Sequence, residues 1–290
     1  CGVIASDNQQ NQIAEKFLWR HVFRGFAMRK HRHQIGALVF VSPFLPQTHK
    51  VFQTFVEFCL ARFFALNDAG LNPEVYNPDR IGIVYGCDYI LSHPQEFREG
   101  VRASLDDEGG FEFDNWAEKG MPNLNPLWLL KYLPNMPASH IGIYNDLRGP
   151  SNSLTMREAS SNLAIGEAIC TIQRGDADIM ISGATGTRIH PLRTVYVNCQ
   201  EVLASNKFEA DKASRPFDQN REGMVVGEGA GSFILERLDH AQARGAKIYG
   251  EIIGFGSSTV IKQDFTPQFE QALSNVIGQS LSAAGISAEE

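Results

Sequence analysis

The sequence predicts an α/β protein organised around a largely buried β-sheet. Two short runs, residues 81–86 (IGIVYG) and 178–182 (DIMIS), are strongly apolar and contain β-branched side chains, as expected of strands buried on both faces. Residues 159–173 instead place their apolar side chains along one side of a helix. Because such strands and helices alternate along the chain, helices are expected to cover the sheet.

The other elements before residue 156 are predicted from the same periodicities and from turn residues. Residues 51–66 are apolar almost all round and are expected to form a buried helix. Residues 92–105 have helical spacing, and the Gly-, Asp- and Asn-rich residues 106–125 are expected to form an exposed loop. Short strands are predicted at residues 141–144 and 152–155.

The alternation continues towards residue 290. Residues 225–236 hold two short apolar runs around a Gly-rich turn, residues 238–244 form a short helix closed by Gly245, and residues 247–256 form a strand. Residues 266–284 are predicted to be helical. The side chains of this helix expected to face the core are Phe269, Leu273, Val276, Ile277, Leu281 and Ala284.

Composition restricts the class of protein. Of 290 residues, 43% are hydrophobic and 20% are charged, which is ordinary for a soluble globular chain. The formal net charge of −7 argues against nucleic acid as the main partner. No apolar run reaches the roughly 20 residues of a membrane span. The cysteines form no close pair, which suits free thiols in a cytoplasmic protein: Cys1, Cys59, Cys87, Cys170 and Cys199.

Residues 213–236 combine a charged loop with alternating glycines. Gly227, Gly229 and Gly231 leave one strand face without side chains, which permits close backbone approach or a bulge. No helix follows directly, so a dinucleotide fingerprint is not indicated. The loop charges either form an ion-paired corner or remain solvated: Arg215, Asp218, Arg221 and Glu222.

Four segments carry a resemblance to a known family: DLRGPSNSLT (146–155), GDADIMISGAT (175–185), ASRPFDQNREGMVVGEGAGSFILE (213–236) and RGAKIYGEIIGFG (244–256). In this order and spacing they resemble the β-ketoacyl-acyl-carrier-protein synthases, condensing enzymes of the thiolase superfamily.

The resemblance extends over about residues 52–290 and implies a thiolase-like, layered αβαβα fold. Residues 1–245 would form the N-terminal half, with its first strand apparently missing, and residues 246–290 would begin the second half. The chain begins at Cys1 rather than Met. It is therefore expected to be a partial copy of a longer protein.

The family implies a nucleophilic cysteine on a tight strand-to-helix turn, where a helix N-terminus lowers the thiol pKa. Matching GPSNSLTMREASS to that pattern places Glu158 at the nucleophile position. A carboxylate there is expected to stay ionised, to accept acyl groups poorly and to repel a malonyl carboxylate. Cys170 would lie about 18 Å further along the helix, at 1.5 Å per residue, and cannot replace it.

The resemblance also implies roles for other residues. The backbone N–H of Glu158 would belong to an oxyanion hole. Substrate contact is expected from Ala159, which follows the nucleophile position. Arg188, His190 and Arg193 follow a strand's Gly-rich end, where ligands of α/β folds often bind, so they are expected either to contact the substrate or carrier protein or to be surface charges. The dimer interface would include Asn152, Leu154 and Leu163. Arg215, Asp218, Arg221 and Glu228 would be structural loop residues.

No metal or cofactor is expected. The family's histidine motifs, Asn-Ala-His-Gly and Gly-His, do not occur in this chain. Histidines such as His31, His33 and His140 are expected to be structural or on the surface. The nucleophile and histidine positions therefore both differ from those of a condensing enzyme.

Three functional hypotheses remain. The first is a β-ketoacyl-ACP synthase-like protein of fatty-acid or polyketide biosynthesis, binding carrier-linked acyl or malonyl thioesters as a homodimer, without Cys-dependent condensation; malonyl decarboxylation stays open. The second is a non-catalytic, chain-length-factor-like subunit paired with an active synthase. The third assigns the basic residues 24–33 (RGFAMRKHRH) to RNA or a membrane surface, with a solvated face or acyl carrier protein docking as the alternatives.

Overall fold

The computed structural model describes residues 65–71, 76–88, 92–205 and 208–289, together with the backbone of two earlier strands. Most of the predicted helix at residues 51–66 and most of the basic stretch at residues 24–33 lie outside the described residues.

The larger sheet has five strands in the order β2-β6-β5-β3-β4. Strand β3 pairs in parallel with both β4 and β5, whereas β6 is antiparallel to β5 and β2 is antiparallel to β6. The strands are β2 (Leu38–Val41), β3 (Ile81–Cys87), β4 (Ser151–Leu154), β5 (Ile179–Thr187) and β6 (Glu228–Glu236). In addition, β1 (Phe26–Arg29) pairs antiparallel with β7 (Glu251–Phe255) in a two-stranded sheet.

Six α-helices whose bounds are described lie between and after these strands, and residues 65–68 are also helical. They are α1 (Arg98–Ala103), α2 (Met136–Tyr144), α3 (Ser160–Gln173), α4 (Pro191–Gln200), α5 (Leu238–Ala243) and α6 (Phe269–Ala284). None of the helices in the described ranges has both the length and the apolar character needed to cross a bilayer.

Both faces of the central strands are buried, as the apolar runs predicted. On one face Ile83 and Ile181 pack with Ile141 of α2. On the other face Met180 packs with Ala168 of α3, and residues of β7 pack against the same cluster. The order is therefore α2, five-stranded sheet, α3, two-stranded sheet, α6, which confirms the layered αβαβα arrangement.

Three predictions differ from the structure. The exposed loop expected at residues 106–125 contains a π-helical segment (Trp116–Gly120) and a 3₁₀ turn (Met121–Asn123). Residues 141–144 were predicted to be a strand, but they form the last turn of α2, which opens with Pro137 near its N-terminus. A short apolar run cannot distinguish a buried helix from a strand, so this prediction was wrong. Residues 228–236 form one continuous strand without an intervening turn, because β6 pairs with β5 along its whole length.

The predicted inward face of α6 is only partly correct. Val276 and Leu281 are half-buried where the helix packs on β7. By contrast, Phe269, Leu273 and Ile277 are 72%, 61% and 56% exposed in the described structure. The helix approaches β7 closely at Ser280, whose carbonyl oxygen would lie 2.4 Å from a Cβ added to Gly254, and this contact leaves part of the apolar stripe exposed.

Candidate functional site

A cleft of about 490 Å³ opens where the carboxyl ends of β3 and β5 meet the start of β6 and the turn before α3. Ligands of α/β proteins commonly bind at this edge of a sheet. Its charged side chains come from four segments of the chain: Asp88, Arg157, Glu158, Arg188, Arg193 and Glu228. The fold thus brings distant charges together at one site.

The turn that carries Glu158 is fixed to the end of β3. After β4, residues Arg157–Ala159 form a 3₁₀ turn that leads directly into α3. The Ser160 hydroxyl accepts a hydrogen bond from the Met156 N–H at 2.7 Å and donates one to the Cys87 carbonyl at 3.3 Å. This arrangement places Glu158 at a strand-to-helix turn, where the sequence predicted it.

Close packing at Gly86 also determines the position of this turn. A Cβ atom added to Gly86 would lie 2.6 Å from the carbonyl carbon and oxygen of Ser160. Arg157 has a left-handed backbone conformation (φ 50°), which is unusual for a residue other than glycine. Its guanidinium lies over the Tyr196 ring of α4, 5.6 Å from the ring centroid.

Two guanidinium groups flank the Glu158 carboxylate. The Arg188 side chain forms an ion pair with one carboxylate oxygen, and Arg157 Nε lies 3.6 Å from the other. Glu158 is 60% exposed at its side chain, whereas Arg188 is 20% exposed. The Glu158 carboxylate therefore lies between two cationic side chains in the cleft.

The floor of the cleft contains a second ion pair. Arg193 Nη1 lies 2.6 Å from Asp88 Oδ2 and 2.8 Å from the Thr187 carbonyl oxygen. The Thr187 hydroxyl in turn donates a 2.8 Å hydrogen bond to Glu228. Arg193 is therefore held in the wall by protein groups.

The four residues predicted to contact substrate have different positions. Arg188 and Arg193 line the cleft. His190 caps α4, since the Leu192 N–H donates to its Nδ1 at 3.2 Å, and its ring lies edge-on to His93. Ala159 is exposed beside Glu158. Substrate contact by these residues stays a prediction.

The predicted interface residues lie at one end of the five-stranded sheet. Asn152 is exposed and Leu154 is half-buried on β4, and Leu163 is half-buried on α3. Among the described strands, β4 is one of the two edge strands of this sheet and pairs with β3. Such an edge can accept a further strand, but a dimer through these residues stays a prediction.

The charged loop forms an ion-paired corner, but fewer residues take part than predicted. Arg215 Nη2 lies 2.8 Å from Asp218, and Arg221 donates to the Asp218 carbonyl oxygen at 3.1 Å. The hydrogen bond from Arg215 holds the pKa of the Asp218 carboxyl below its ordinary value. Glu222 instead bonds Ser205, and Glu228 begins β6 and accepts from Thr187, so Glu228 is a cleft residue and not a member of this corner.

Sequence reasoning missed Cys87, which lies in the cleft with Glu158. Its position directly after the apolar run of β3 was the available signal, because strand ends converge at this edge. The thiol is 2% exposed. Burial, with a further contribution from Asp88, raises its pKa to about 12, so it is a protonated thiol at neutral pH.

The cleft also exposes the glycine face of β6. Added Cβ atoms at Gly227, Gly229 and Gly231 would meet no atom within 4 Å. These glycines therefore leave open space, and the close backbone approach occurs at Gly183 of β5 instead, where a Cβ would lie 2.0 Å from the Gly231 carbonyl oxygen. In the described ranges, His, Cys, Asp and Glu side chains form no group of three or more suited to a metal ion.

Residues 54–241 match the family model for the β-ketoacyl synthase N-terminal domain, which covers more than half of the chain. The chain belongs to the β-ketoacyl synthase family. This confirms the resemblance, because three of the four segments that carry it lie within the matched residues.

Curated relatives in this family include 3-oxoacyl-[acyl-carrier-protein] synthase 2 of Rhizobium meliloti, which is 34% identical over 73% of this chain and 48% of its own length. The mitochondrial synthase of Arabidopsis thaliana is 40% identical over 49% of this chain and 31% of its own length. The chain thus spans about half the length of the Rhizobium synthase and a smaller part of the Arabidopsis synthase.

Solved β-ketoacyl synthases share the fold. A β-ketoacyl synthase from Burkholderia phymatum covers 82% of this chain and 54% of its own, with 26% identity and a TM-score of 0.66. A type II polyketide ketosynthase in complex with its acyl-carrier protein and bound to a hexaketide has a TM-score of 0.66 at 25% identity, over 82% of this chain and 57% of its own. These similarities confirm the thiolase-like fold class.

Proposed function

We propose that the protein binds acyl or malonyl thioesters carried by an acyl carrier protein, in fatty-acid or polyketide biosynthesis, and does not condense them through an acyl-cysteine. The single observation that carries this proposal is the Glu158 carboxylate, paired with Arg188, in the cleft at the strand-to-helix turn. The family's condensation requires a thiolate at this position.

The electrostatics of the cleft support the loss of acyl transfer. A carboxylate bound to a guanidinium is a weak nucleophile, and its acylation would give a reactive anhydride. Cys87 is the thiol of the cleft within the described residues, and burial keeps it protonated. A thiol rather than a thiolate does not attack a thioester at a useful rate.

The setting is proposed from relatives. The synthases of Rhizobium and Arabidopsis are named for acyl-carrier-protein substrates, and the polyketide ketosynthase is bound to its carrier protein. A cytoplasmic location fits the free thiols of Cys87, Cys170 and Cys199. A carrier protein is therefore the partner to test first.

The test is acylation of the full-length protein. Wild-type protein, Glu158→Cys and Glu158→Gln would be incubated with an acyl thioester of a carrier protein, and covalent adducts would be measured by mass spectrometry. We expect an adduct only in Glu158→Cys, because that change restores a thiol at the turn. An acyl adduct on wild-type protein in the cleft, or none on the folded Glu158→Cys variant, would contradict the proposal.

A second candidate is a non-catalytic, chain-length-factor-like subunit. The edge strand β4 and the half-buried Leu154 and Leu163 support it, since an edge strand can adjoin a partner chain. Native mass spectrometry of the protein alone, and with a synthase encoded beside it, separates a homodimer from a heterodimer. Leu163→Asp should weaken the dimer, whereas Val195→Asp at an exposed site on α4 should not.

A further inference from the structure

Arg188 connects three segments around the cleft. Its guanidinium forms the ion pair with Glu158, and its Nη1 lies 3.5 Å from the Met224 sulfur. Its backbone N–H donates a 2.9 Å hydrogen bond to the Gly227 carbonyl oxygen. The backbone of Arg188 is therefore held by the segment before β6, and its side chain by the turn before α3.

The neighbouring charges leave Arg188 as the main counter-ion of Glu158. Arg193 is bound by Asp88 and by the Thr187 carbonyl oxygen, and Glu228 accepts from the Thr187 hydroxyl. Arg157 reaches Glu158 only at 3.6 Å. Because Arg188 is mostly buried, its interaction with an anion at residue 158 is screened less than that of a surface cation.

We propose that Arg188 is a positioning residue that holds the anionic group at residue 158 against the wall of the cleft. This inference rests on the proposed function, which makes the cleft a site for carrier-linked thioesters. It also changes one expectation: Arg157, Arg188 and Glu158 together carry one positive charge. We therefore expect that the turn does not repel a malonyl carboxylate, although the sequence alone predicted repulsion.

The test replaces Glu158 with a group whose ionisation can be measured. Full-length Glu158→Cys and Glu158→Cys/Arg188→Met proteins would be alkylated with iodoacetamide over a range of pH, and each cysteine would be followed by peptide mass spectrometry. A cation about 4–6 Å from a thiolate lowers the thiol pKa by about one unit or more. The introduced thiol should therefore react about threefold to tenfold faster at neutral pH when Arg188 is present.

Two controls show whether the effect is local and due to charge. Cys199 is exposed and should react at the same rate in both proteins. A third variant, Glu158→Cys/Arg188→Lys, should recover most of the rate, because it keeps a cation without the planar guanidinium. Equal rates for the introduced thiol with and without the Arg188→Met change would overturn the proposal, provided that the single and double variants unfold at the same temperature.

The two proposals fail in different ways. If the introduced thiol shows the Arg188 effect but accepts no acyl group from a carrier-linked thioester, the proposed function is wrong and the positioning role stands. If it accepts the acyl group and its alkylation does not depend on Arg188, the positioning role is wrong and the proposed function stands.

Discussion

Arg193 Nη1 lies 2.6 Å from Asp88 Oδ2, and this ion pair joins helix α4 to the residue that follows β3. The two side chains are only 5% and 16% exposed. Arg193 also donates to the Thr187 carbonyl oxygen, which ties the end of β5 to the same point. The pair therefore joins the start of α4, the residue after β3 and the end of β5 in the wall of the cleft.

Removal of one partner of this pair should destabilise the fold. Arg193→Met leaves the Asp88 carboxylate without its guanidinium in a mostly buried site, so we expect a loss of about 3 kcal/mol in the free energy of unfolding. Urea denaturation measures it. Arg148→Met is the matched control, because the Arg148–Asp146 pair is exposed, and should change little. Equal effects of the two changes would contradict this account.

Gly86 should tolerate no side chain. Gly86→Ala forces α3 away from β3, since its Cβ would lie 2.6 Å from the Ser160 carbonyl, and we expect a loss of about 1–3 kcal/mol in unfolding free energy. Gly229→Ala adds the same methyl group into open space and should be neutral or slightly stabilising. Thermal unfolding of the two variants provides the comparison.

Cys87 should resist alkylation in the folded protein. Its pKa of about 12 leaves almost no thiolate at neutral pH, whereas the exposed Cys199 should be modified readily. Peptide mass spectrometry after iodoacetamide treatment, with and without urea, measures both residues. Rapid modification of Cys87 without urea would show that the thiol is accessible or ionised.

The same pKa predicts a loss of stability in alkali. The unfolded thiol ionises near its ordinary value of 9.0, before the folded one. Cys87 therefore favours the folded state fully below pH 9 and loses this contribution as the pH rises towards 12. Cys87→Ala should flatten the decline in unfolding free energy over this interval, and an unchanged slope would refute the assignment.

Asp178 should contribute to stability on the acid side. The side-chain hydrogen bond from Arg80, assisted by Arg237, holds the pKa of Asp178 below its ordinary value of 3.8. The contribution is therefore present above that value and is lost as the pH falls through the lowered pKa. Asp178→Asn should weaken the acid dependence of urea midpoints, and a wild-type slope in this variant would exclude the assignment.

The strands at the centre of the sheet were predictable because short apolar runs with β-branched side chains are typical of strands buried on both faces. Residues 81–86 and 179–182 are buried, and the helix that begins at residue 160 covers one face of these strands. The position of Glu158 was predicted from the resemblance to the family, and the structure places it in the turn between β4 and α3.

Contacts between distant segments were decided only by the tertiary structure. Cys87 and Arg188 lie far from Glu158 in sequence, and they meet it because parallel strands end at one edge of the sheet. The exposed residues of α6 and the helical residues 141–144 were mispredicted for a related reason. Periodicity shows that a segment has an apolar side, whereas packing against neighbouring elements decides how much of that side is covered.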